Sequence, residues 1–380
     1  MNDKIPALTL NTKEERRLIR GHLWAYRNEF SQIPEGLADG QVVDVLSEGK
    51  RFVGRGFYQA EGGIAVRILS RHQRPLDGEF FAARLDAARA LRARLFPGAD
   101  VYRWVYGESD GLPGLVADRY GSAAVVKATS KFYAAHADSL ASWFRGEGGL
   151  TGIVFEQGGW SRRLGEVPDT LTLEVDGVKA ELRPDGAQKT GLFLDQRSNW
   201  PVARLFAPGA RVFDGHCYHG FWSCHAALAG AASVTAADSS EKALEQARRN
   251  LELNGVAEKC ELVCGDVETL LAGGAVYDLI VLDPPAFAKT RAQASKALGR
   301  YQALNAAALR QIAPEGGFLI TSSCSHFVDE AMFIEAVKRA AMAAGRTVRL
   351  LELRAASPDH PVLLSMLETS YLKCAVLRVD

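Results

Sequence analysis

An aspartate followed by two prolines closes an apolar run in the C-terminal half of the chain. Residues 276–287 have the sequence V-Y-D-L-I-V-L-D-P-P-A-F. Such a run predicts a parallel strand buried on both faces, and Pro284 and Pro285 then force the chain out of the sheet. Asp283 is therefore expected at the carboxyl edge of the strand, where ligands bind in doubly wound sheets. A carboxylate that only caps a loop is the alternative.

A second apolar run delivers a cysteine within a cluster of serines. Residues 316–325 have the sequence G-G-F-L-I-T-S-S-C-S, and Cys324 stands near its carboxyl end. If the two strands are neighbours in one sheet, Cys324 and Asp283 face the same crevice.

Alternating strands and helices must position these side chains. From about residue 210 the pattern is βαβ, with strands expected at 211–213, 233–236, 261–264, 276–283, 316–324, 347–353 and 371–379. Ser240 can cap the helix after the second strand, and Asn254 with Gly255 stops it. Each of the first five strands leads to an acidic or polar residue, namely Asp214, Asp238, Asp266, Asp283 and Cys324.

D-P-P-A-F followed some forty residues later by S-S-C-S resembles the fourth and sixth motifs of a known family. This family is the bacterial 23S ribosomal RNA cytosine-5 methyltransferases of the large-subunit methyltransferase I type. The resemblance extends over nearly the whole chain and implies an α/β protein. A PUA-like RNA-binding β barrel is expected at 1–74, a small α+β middle domain with a β-hairpin at 75–184, and a class I methyltransferase domain with a Rossmann-like, seven-stranded sheet at 185–380.

The sequence before residue 185 fits this division. Short alternating runs at 42–45, 52–54 and 64–69, separated by glycines, predict a small β barrel. A helix is predicted from about Phe80 to Leu95, and a hairpin at 171–182 turns about Asp176 and Gly177. The turn-rich stretch 107–115, G-E-S-D-G-L-P-G-L, is typical of the family, but the sequence assigns it no role.

The resemblance assigns catalysis to Cys324 and Asp283. Cytosine C5 is a poor nucleophile until a group adds at C6, and a thiolate is suited to that reversible addition. Cys324 would form the adduct, and Asp283 would bind the N3 and 4-amino edge of the base. The base that removes the C5 proton is unassigned, because Ala286 stands where some RNA cytosine methyltransferases have a second cysteine.

Three of the strand-end acids indicate S-adenosyl-L-methionine as the cofactor. Asp238 can accept from both ribose hydroxyls, Asp266 from the adenine amino group, and Asp214 begins the loop that would hold the methionine moiety. No glycine-rich phosphate loop follows the first strand, which favours this phosphate-free cofactor and leaves NAD a distant alternative on fold grounds.

The resemblance adds further cofactor-binding residues. Segment 188–197 lies over the cofactor in the family, and its contribution here would be Phe193 and Asp195, although Phe193 could instead pack in the core. Tyr218 and Gly220 match the family's cofactor loop, and Asp283 closes the set. Phe221 replaces the second glycine of that loop, which questions the close backbone approach that glycine permits.

The charge distribution bears on the substrate. Lys plus Arg and Asp plus Glu both total 45, which weakens a nucleic-acid interpretation, but residues 288–314 contain no acid. The substrate-binding residues expected at and after the D-P-P turn are Pro284, Phe287, Lys289, Arg291 and Arg300, with Lys296 and Arg310 in the same acid-free segment. A solvated helix face is the alternative. The expected partners are 23S ribosomal RNA and a second copy in a homodimer.

Other features set the cellular context. The six cysteines do not form a disulfide framework, and the spacing of His216, Cys217, His219, Cys224 and His225 matches no metal template, so no metal is expected. No apolar stretch approaches the ~18 residues of a membrane span, and the start M-N-D-K-I-P lacks a signal-peptide core. A cytoplasmic protein that contacts no membrane is predicted.

Three competing functions stay open. Methylation of another RNA base, at nitrogen, would use Asp283 and Phe287 and leave Cys324 idle. A non-catalytic RNA-binding protein would explain the altered loop at Phe221. A methyltransferase acting on a small molecule is supported only by the neutral charge.

Overall fold

The computed structural model describes residues 5–185 and 190–380, so Gln188 and Lys189 of the predicted cofactor segment lie outside the described residues. The chain divides into two compact units. The first comprises Met1–Leu171, Arg183–Gly191 and Asp359–Thr369, and the second comprises Thr172–Leu182, Leu192–Pro358 and Ser370–Asp380.

The first unit begins with a mainly antiparallel sheet. Its strands are β1 (Ala7–Leu10), β2 (Trp24–Tyr26), β3 (Phe30–Gln32), β4 (Val42–Leu46), β5 (Phe52–Tyr58) and β6 (Ile64–Ser70), and helix α1 (Glu15–Ile19) follows β1. The order across the sheet is β2-β6-β5-β4-β1-β3, with β1 and β4 parallel. Alternate residues such as Leu8, Val43 and Val45 are fully buried, as the alternating sequence pattern predicts.

A second sheet with helices completes the first unit. Its elements are α2 (Gly78–Leu95), β7 (Val101–Tyr106), β8 (Leu115–Tyr120), β9 (Ala123–Ala128), α3 (Lys131–Ala135), α4 (Ala137–Arg145), β10 (Gly152–Gln157) and β11 (Trp160–Gly165). The strand order is β11-β10-β9-β8-β7. The Asp77 side chain accepts from the Phe80 N–H and caps α2, whose buried Phe80 and Leu85 pack with Trp104 of β7.

The second unit is built on a sheet of seven described strands. After the hairpin β12 (Leu171–Val175) and β13 (Val178–Leu182), its elements are α5 (Ala203–Phe206), β14 (Arg211–Gly215), α6 (Phe221–Leu228), β15 (Ser233–Asp238), α7 (Glu241–Leu253), β16 (Cys260–Cys264), α8 (Val267–Leu271), β17 (Leu279–Leu282), α9 (Ala294–Gln311), β18 (Gly317–Ser323), α10 (Glu330–Ala344), β19 (Val348–Arg354) and β20 (Lys373–Val379). The order β16-β15-β14-β17-β18-β20-β19, with β20 antiparallel to both of its neighbours, confirms the predicted class of fold.

The two motif-bearing strands are neighbours. β17 and β18 run parallel, and Leu282 pairs with Thr321 at their carboxyl ends. β17 begins at Leu279, later than the apolar run in the sequence, and the carboxylate of the preceding Asp278 accepts the backbone N–H and the guanidinium of Arg211. The carboxyl edge of this sheet is therefore where Asp283 and the S-S-C-S turn emerge.

The hairpin packs with the second unit. The N–H of Lys179 donates to Asn254 Oδ1 at 2.9 Å, and the N–H of Glu181 donates to Asn250 Oδ1 at 3.0 Å, both on or just after α7. The division by sequence assigned this hairpin to the middle domain, and the boundaries at 74 and 184 stay predictions. Within residues 5–185 and 190–380, no helix combines the length and apolarity that a membrane crossing needs.

Candidate active site

Asp283 and Cys324 lie at one edge of the sheet, on neighbouring strands. Gln196 joins the two strand ends, because its Nε2 donates to Asp283 Oδ1 at 2.8 Å and to Ser322 Oγ at 3.0 Å. The Trp222 indole N–H donates to Asp283 Oδ2 at 3.2 Å. The thiol of Cys324 donates to the Pro284 carbonyl across 3.7 Å. The half-buried acid is thus held at both oxygens, with the thiol beside its D-P-P turn.

A buried lysine anchors the turn that carries Cys324. Lys373 of β20 donates to the carbonyls of Ser325, Val328 and Tyr371 at 2.8, 2.5 and 2.7 Å. Burial lowers the pKa of Lys373 to about 8, while the charge of a Cys324 thiolate raises it. Three acceptors engage all three N–H bonds of the ammonium, so this side chain fixes the backbone after Cys324 and brings positive charge near the thiol.

Asp214 is fully buried at the end of β14. Its Oδ2 accepts from the Ser223 N–H at 3.0 Å and from the Ser223 hydroxyl at 2.6 Å, whereas its buried Oδ1 has no hydrogen-bond partner in the described structure. Burial, more than the nearby charges of Asp283 and Asp238, raises the pKa of Asp214 to about 7. An orphaned carboxylate oxygen of this kind is satisfied by a ligand that brings a donor or a cation.

The loop after Asp214 has an unusual backbone. His216, Tyr218 and Gly220 have φ values of 63°, 49° and 75°, in the left-handed region that non-glycine residues seldom occupy. A Cβ on Gly220 would also lie 3.2 Å from the Cβ of Ala247. The Tyr218 ring packs against Phe193, with ring centroids 4.4 Å apart. Phe193 and Tyr218 are thus brought together beside this loop.

Phe221 has a structural place that the sequence did not reveal. It is the first residue of α6, and its ring stacks on buried Trp200 with centroids 4.2 Å apart. Its φ is not positive, so a glycine is not needed at this position. The glycine with a left-handed backbone at the start of α6 is Gly220.

The other strand-end acids take part in local hydrogen bonds. Asp238 accepts from the Tyr218 N–H at 3.0 Å and from the Ser240 N–H at 2.9 Å, which ties the ends of β14 and β15 together. Asp266 is exposed and caps α8 through Thr269, whose hydrogen bonds lower the pKa of this acid. Asp195 is buried and accepts from the Tyr371 hydroxyl at 2.5 Å. Their roles toward a cofactor stay predictions.

The predicted substrate residues surround the D-P-P turn. Pro284 is buried, and Lys289 and Arg291 are exposed. The guanidinium of Arg300 lies 4.0 Å from the centroid of the Phe287 ring and 3.6 Å from Glu268. Phe287 also packs against Tyr301, with ring centroids 4.7 Å apart. One face of Phe287 is therefore covered by a cation.

The histidines and cysteines of the unusual loop are mostly packed inside. Burial lowers the pKa of His219 to about 4 and that of His225 to about 3, and His225 Nδ1 accepts from Arg204 Nε at 2.8 Å. In residues 5–185 and 190–380, no group of three or more His, Cys, Asp or Glu side chains is arranged to hold a metal ion.

Gln196, Trp222 and Lys373 are the site residues that sequence reasoning missed. Gln196 and Trp222 lie inside segments that the sequence did single out, next to Asp195 and Phe221. Gln196 ends a single 3-10 turn and Trp222 lies in the first turn of α6, and both stretches are too short for a periodic pattern to indicate which side chain faces the sheet edge. Lys373 has the pattern of an ordinary strand residue, and only the tertiary structure brings three carbonyls to it.

Comparisons with known proteins identify the families that the chain resembles. A family described as a PUA-like domain matches residues 8–71, and one described as a methyltransferase domain matches residues 212–305. The Ribosomal RNA large subunit methyltransferase I of Pseudoalteromonas atlantica is 33% identical, with 98% of this chain and 99% of the relative covered. The protein of the same name from Klebsiella pneumoniae is 32% identical, with both chains covered completely.

Solved structures share the fold along the whole chain. A SAM-dependent methyltransferase from Streptococcus mutans superposes with a TM-score of 0.86 at 20% identity, covering 98% of this chain and 100% of its own. A methyltransferase crystallised with SAH gives a TM-score of 0.87 at 21% identity with the same coverage. Since relatives above 30% identity align over nearly their full length, the chain belongs to the ribosomal RNA large subunit methyltransferase I family, which confirms the family and the cofactor, S-adenosyl-L-methionine, that the sequence motifs predicted.

Proposed function

We propose that the protein methylates C5 of a cytosine in 23S ribosomal RNA through a covalent adduct with Cys324. The observation that carries this proposal is that a thiol and a carboxylate directly follow the neighbouring parallel strands β17 and β18. Cys324 Sγ lies 3.7 Å from the carbonyl of Pro284, the residue directly after Asp283. A nucleophile for C6 and an acceptor for the pyrimidine edge are therefore within the reach of one base.

The residues around β14 and β15 are suited to S-adenosyl-L-methionine. The unsatisfied Oδ1 of Asp214 fits the ammonium of an amino acid moiety, because a cation offsets the cost of burying that carboxylate. Phe193 and Tyr218, whose rings pack together, would supply an aromatic wall, and Asp238, at the end of β15, would accept from the ribose hydroxyls. Asp195, Gly220, Asp266 and Asp283 complete the proposed set. The bound cofactor supplies an electrophilic methyl group.

The chain's own residues carry the remaining chemistry. The Cys324 thiolate forms a bond to C6, and the electron pair of the C5–C6 double bond moves so that C5 can attack the methyl group. Asp283 binds the N3 and 4-amino edge and favours the N3-protonated adduct. Removal of the C5 proton then restores the double bond and expels the thiolate. Lys373 stabilises the turn that presents the thiol.

Ribosomal RNA as the substrate is supported by the PUA-like domain and by the acid-free segment. Lys289, Arg291 and Lys296 are exposed after the D-P-P turn, where they would meet phosphates flanking the target base. The target nucleotide must be unpaired or flipped to enter the crevice. Pro284 and Phe287 would contact that nucleotide. A homodimer and a cytoplasmic location stay predictions.

Nitrogen methylation is the second candidate, and the environment of Phe287 disfavours it. In that mechanism the aromatic residue after D-P-P holds the target base by stacking. Here Arg300 covers one face of the ring and Tyr301 packs against it, so less of the ring is left for a base.

Trapping with 5-fluorocytosine tests the proposal. RNA with this base should remain covalently bound to the wild-type protein, since fluorine at C5 cannot leave as a proton. Cys324→Ser should abolish both trapping and methyl transfer, whereas the matched control Cys264→Ser, at an exposed cysteine on β16, should keep both. Methyl transfer by Cys324→Ser at the wild-type rate, with no adduct, would refute the cytosine-5 mechanism and favour nitrogen methylation.

A further inference from the structure

A cavity of about 580 Å³ lies in the first unit, outside the proposed active site. Three arginines, Arg71, Arg74 and Arg84, line it together with Phe80 of α2. Another wall is formed by Glu108, Ser109, Asp110 and Gly111, from the turn-rich stretch that the sequence left without a role.

Both acids of this wall are already neutralised. Glu108 Oε1 accepts from the Trp24 indole N–H at 2.8 Å and pairs with Arg67 at 2.5 Å. Asp110 is bound by the two terminal nitrogens of the fully buried Arg92, at 2.6 and 2.9 Å. Neither carboxylate therefore offsets the charge of the arginines that face the cavity.

Arg74 and Arg84 keep their charge available. Both side chains are exposed, and their guanidinium carbons lie 5.4 and 5.6 Å from the centroid of the Phe80 ring. In the described parts of the chain neither has a carboxylate partner within ion-pair distance. The Arg84 guanidinium lies against Gly111, where a Cβ would be 3.1 Å from Arg84 Cζ. A glycine at 111 thus leaves room for this cation.

Arg71 and Ser109 complete the polar lining. Arg71 donates to the backbone carbonyls of Leu18 and His22, which fixes its guanidinium at the cavity wall. The Ser109 hydroxyl is buried and has no hydrogen-bond partner among the described residues. Fixed guanidinium groups, a free hydroxyl and neutralised acids are the lining that an oxyanion requires, since guanidinium binds phosphate oxygens through two parallel N–H bonds.

We propose that this arginine-lined cavity binds a phosphodiester group of the RNA substrate, at a second contact outside the active site. The inference rests on the proposed RNA methyltransferase function. An RNA phosphate is favoured because β6 of the PUA-like domain forms part of the wall, through Ile68, Leu69 and Ser70. The turn-rich stretch then acquires a role. Its two acids are neutralised by Arg67 and Arg92, and its Gly111 leaves the space that Arg84 occupies.

The salt dependence of RNA binding tests this subsite in the full chain. A fluorescein-labelled single-stranded RNA of about 12 nucleotides and mixed sequence serves as the probe, with anisotropy measured from about 50 to 200 mM salt. Each phosphate contact to single-stranded nucleic acid contributes about 0.7 to the slope of log K against log salt. Arg74→Gln with Arg84→Gln should reduce the slope by about 1.4. Between about 50 and 200 mM salt, the affinity of the double variant should therefore fall by a factor about sevenfold smaller than that of wild type.

Arg89→Gln with Arg94→Gln is the matched control. This control also removes two positive charges, both from α2. Neither residue lines the cavity, and Arg89 already pairs with Asp86 at 3.0 Å. The control should keep the wild-type slope, and both double variants should keep the wild-type affinity for S-adenosyl-L-methionine. Equal slopes in wild type and the cavity variant, or an equal reduction in the control, would overturn the subsite. Absence of RNA binding by wild type itself would instead refute the proposed function.

Discussion

Asp214 predicts a pH dependence of cofactor binding. Its pKa is raised to about 7 by burial, so the carboxyl is largely protonated below neutral pH in the free protein. If the unsatisfied Oδ1 binds the ammonium of the methionine moiety, only the ionised form binds well. Affinity for S-adenosyl-L-methionine should therefore rise as the pH rises toward 7.

The size of this effect follows from the fraction of ionised Asp214. With a pKa of about 7, that fraction is about one half at pH 7 and about 3% at pH 5.5. The dissociation constant should therefore be about 16-fold larger at pH 5.5, or about 1.6 kcal/mol of binding free energy. The ligand's α-amino group, whose ordinary pKa is about 7.7 to 8.0, stays charged throughout this window. Asp266, whose pKa is lowered, stays ionised.

Isothermal titration calorimetry at several pH values measures the effect, and buffers of different ionisation enthalpy report the proton released on binding. Asp214→Asn should bind S-adenosyl-L-methionine weakly, with an affinity that hardly changes with pH. Any residual slope reports His216, because burial lowers the pKa of this side chain from 6.5. Asp266→Asn should keep the wild-type slope. A wild-type dissociation constant that is unchanged between pH 5.5 and 7 would refute the role of Asp214.

Three further predictions concern the anchor, the loop and the cationic segment. Lys373→Met should lower the free energy of unfolding by about 3 kcal/mol or more, because three carbonyls, two of them buried, lose their donor. The same variant should slow alkylation of Cys324 at neutral pH. Thermal melting and iodoacetamide labelling check this, and wild-type values would contradict it. Gly220→Ala should cost about 1–2 kcal/mol of stability and weaken cofactor binding, whereas Gly255→Ala, also at positive φ but facing open space, should cost similar stability and leave binding unchanged. Replacing the four exposed cations of the acid-free segment by Ala should reduce the salt slope of RNA binding by roughly 2 to 3, whereas an unchanged slope would assign them to a solvated face; these are Lys289, Arg291, Lys296 and Arg300.

The positions of the strands along the chain and of the acids that follow them could be predicted because each rests on a local signal. A buried parallel strand is apolar throughout, and proline ends it, so Asp283 falls at the carboxyl edge whatever the rest of the chain does. The end of β15 at Asp238 and the Ser240 cap follow from the same local rules, and both agree with the structure.

The partners of those acids could not be predicted, because they come from distant segments. Asp278 precedes β17, and its carboxylate pairs with Arg211, which is 67 residues away in the sequence. The hydrogen bond from Gln196 to Asp283 spans 87 residues and starts in a single 3-10 turn, Leu194–Gln196. No periodicity sets the direction of a side chain in such a segment.

The first turn of α6 links the two acids that the proposed reaction needs. Trp222 donates to Asp283, and the next residue, Ser223, donates twice to Asp214. Adjacent residues of one helix therefore orient the carboxylate proposed for the base and the carboxylate proposed for the cofactor. This turn begins directly after Gly220, whose left-handed backbone sets where the helix starts. A substitution that moves the start of α6 is therefore expected to disturb the hydrogen bonds to both carboxylates.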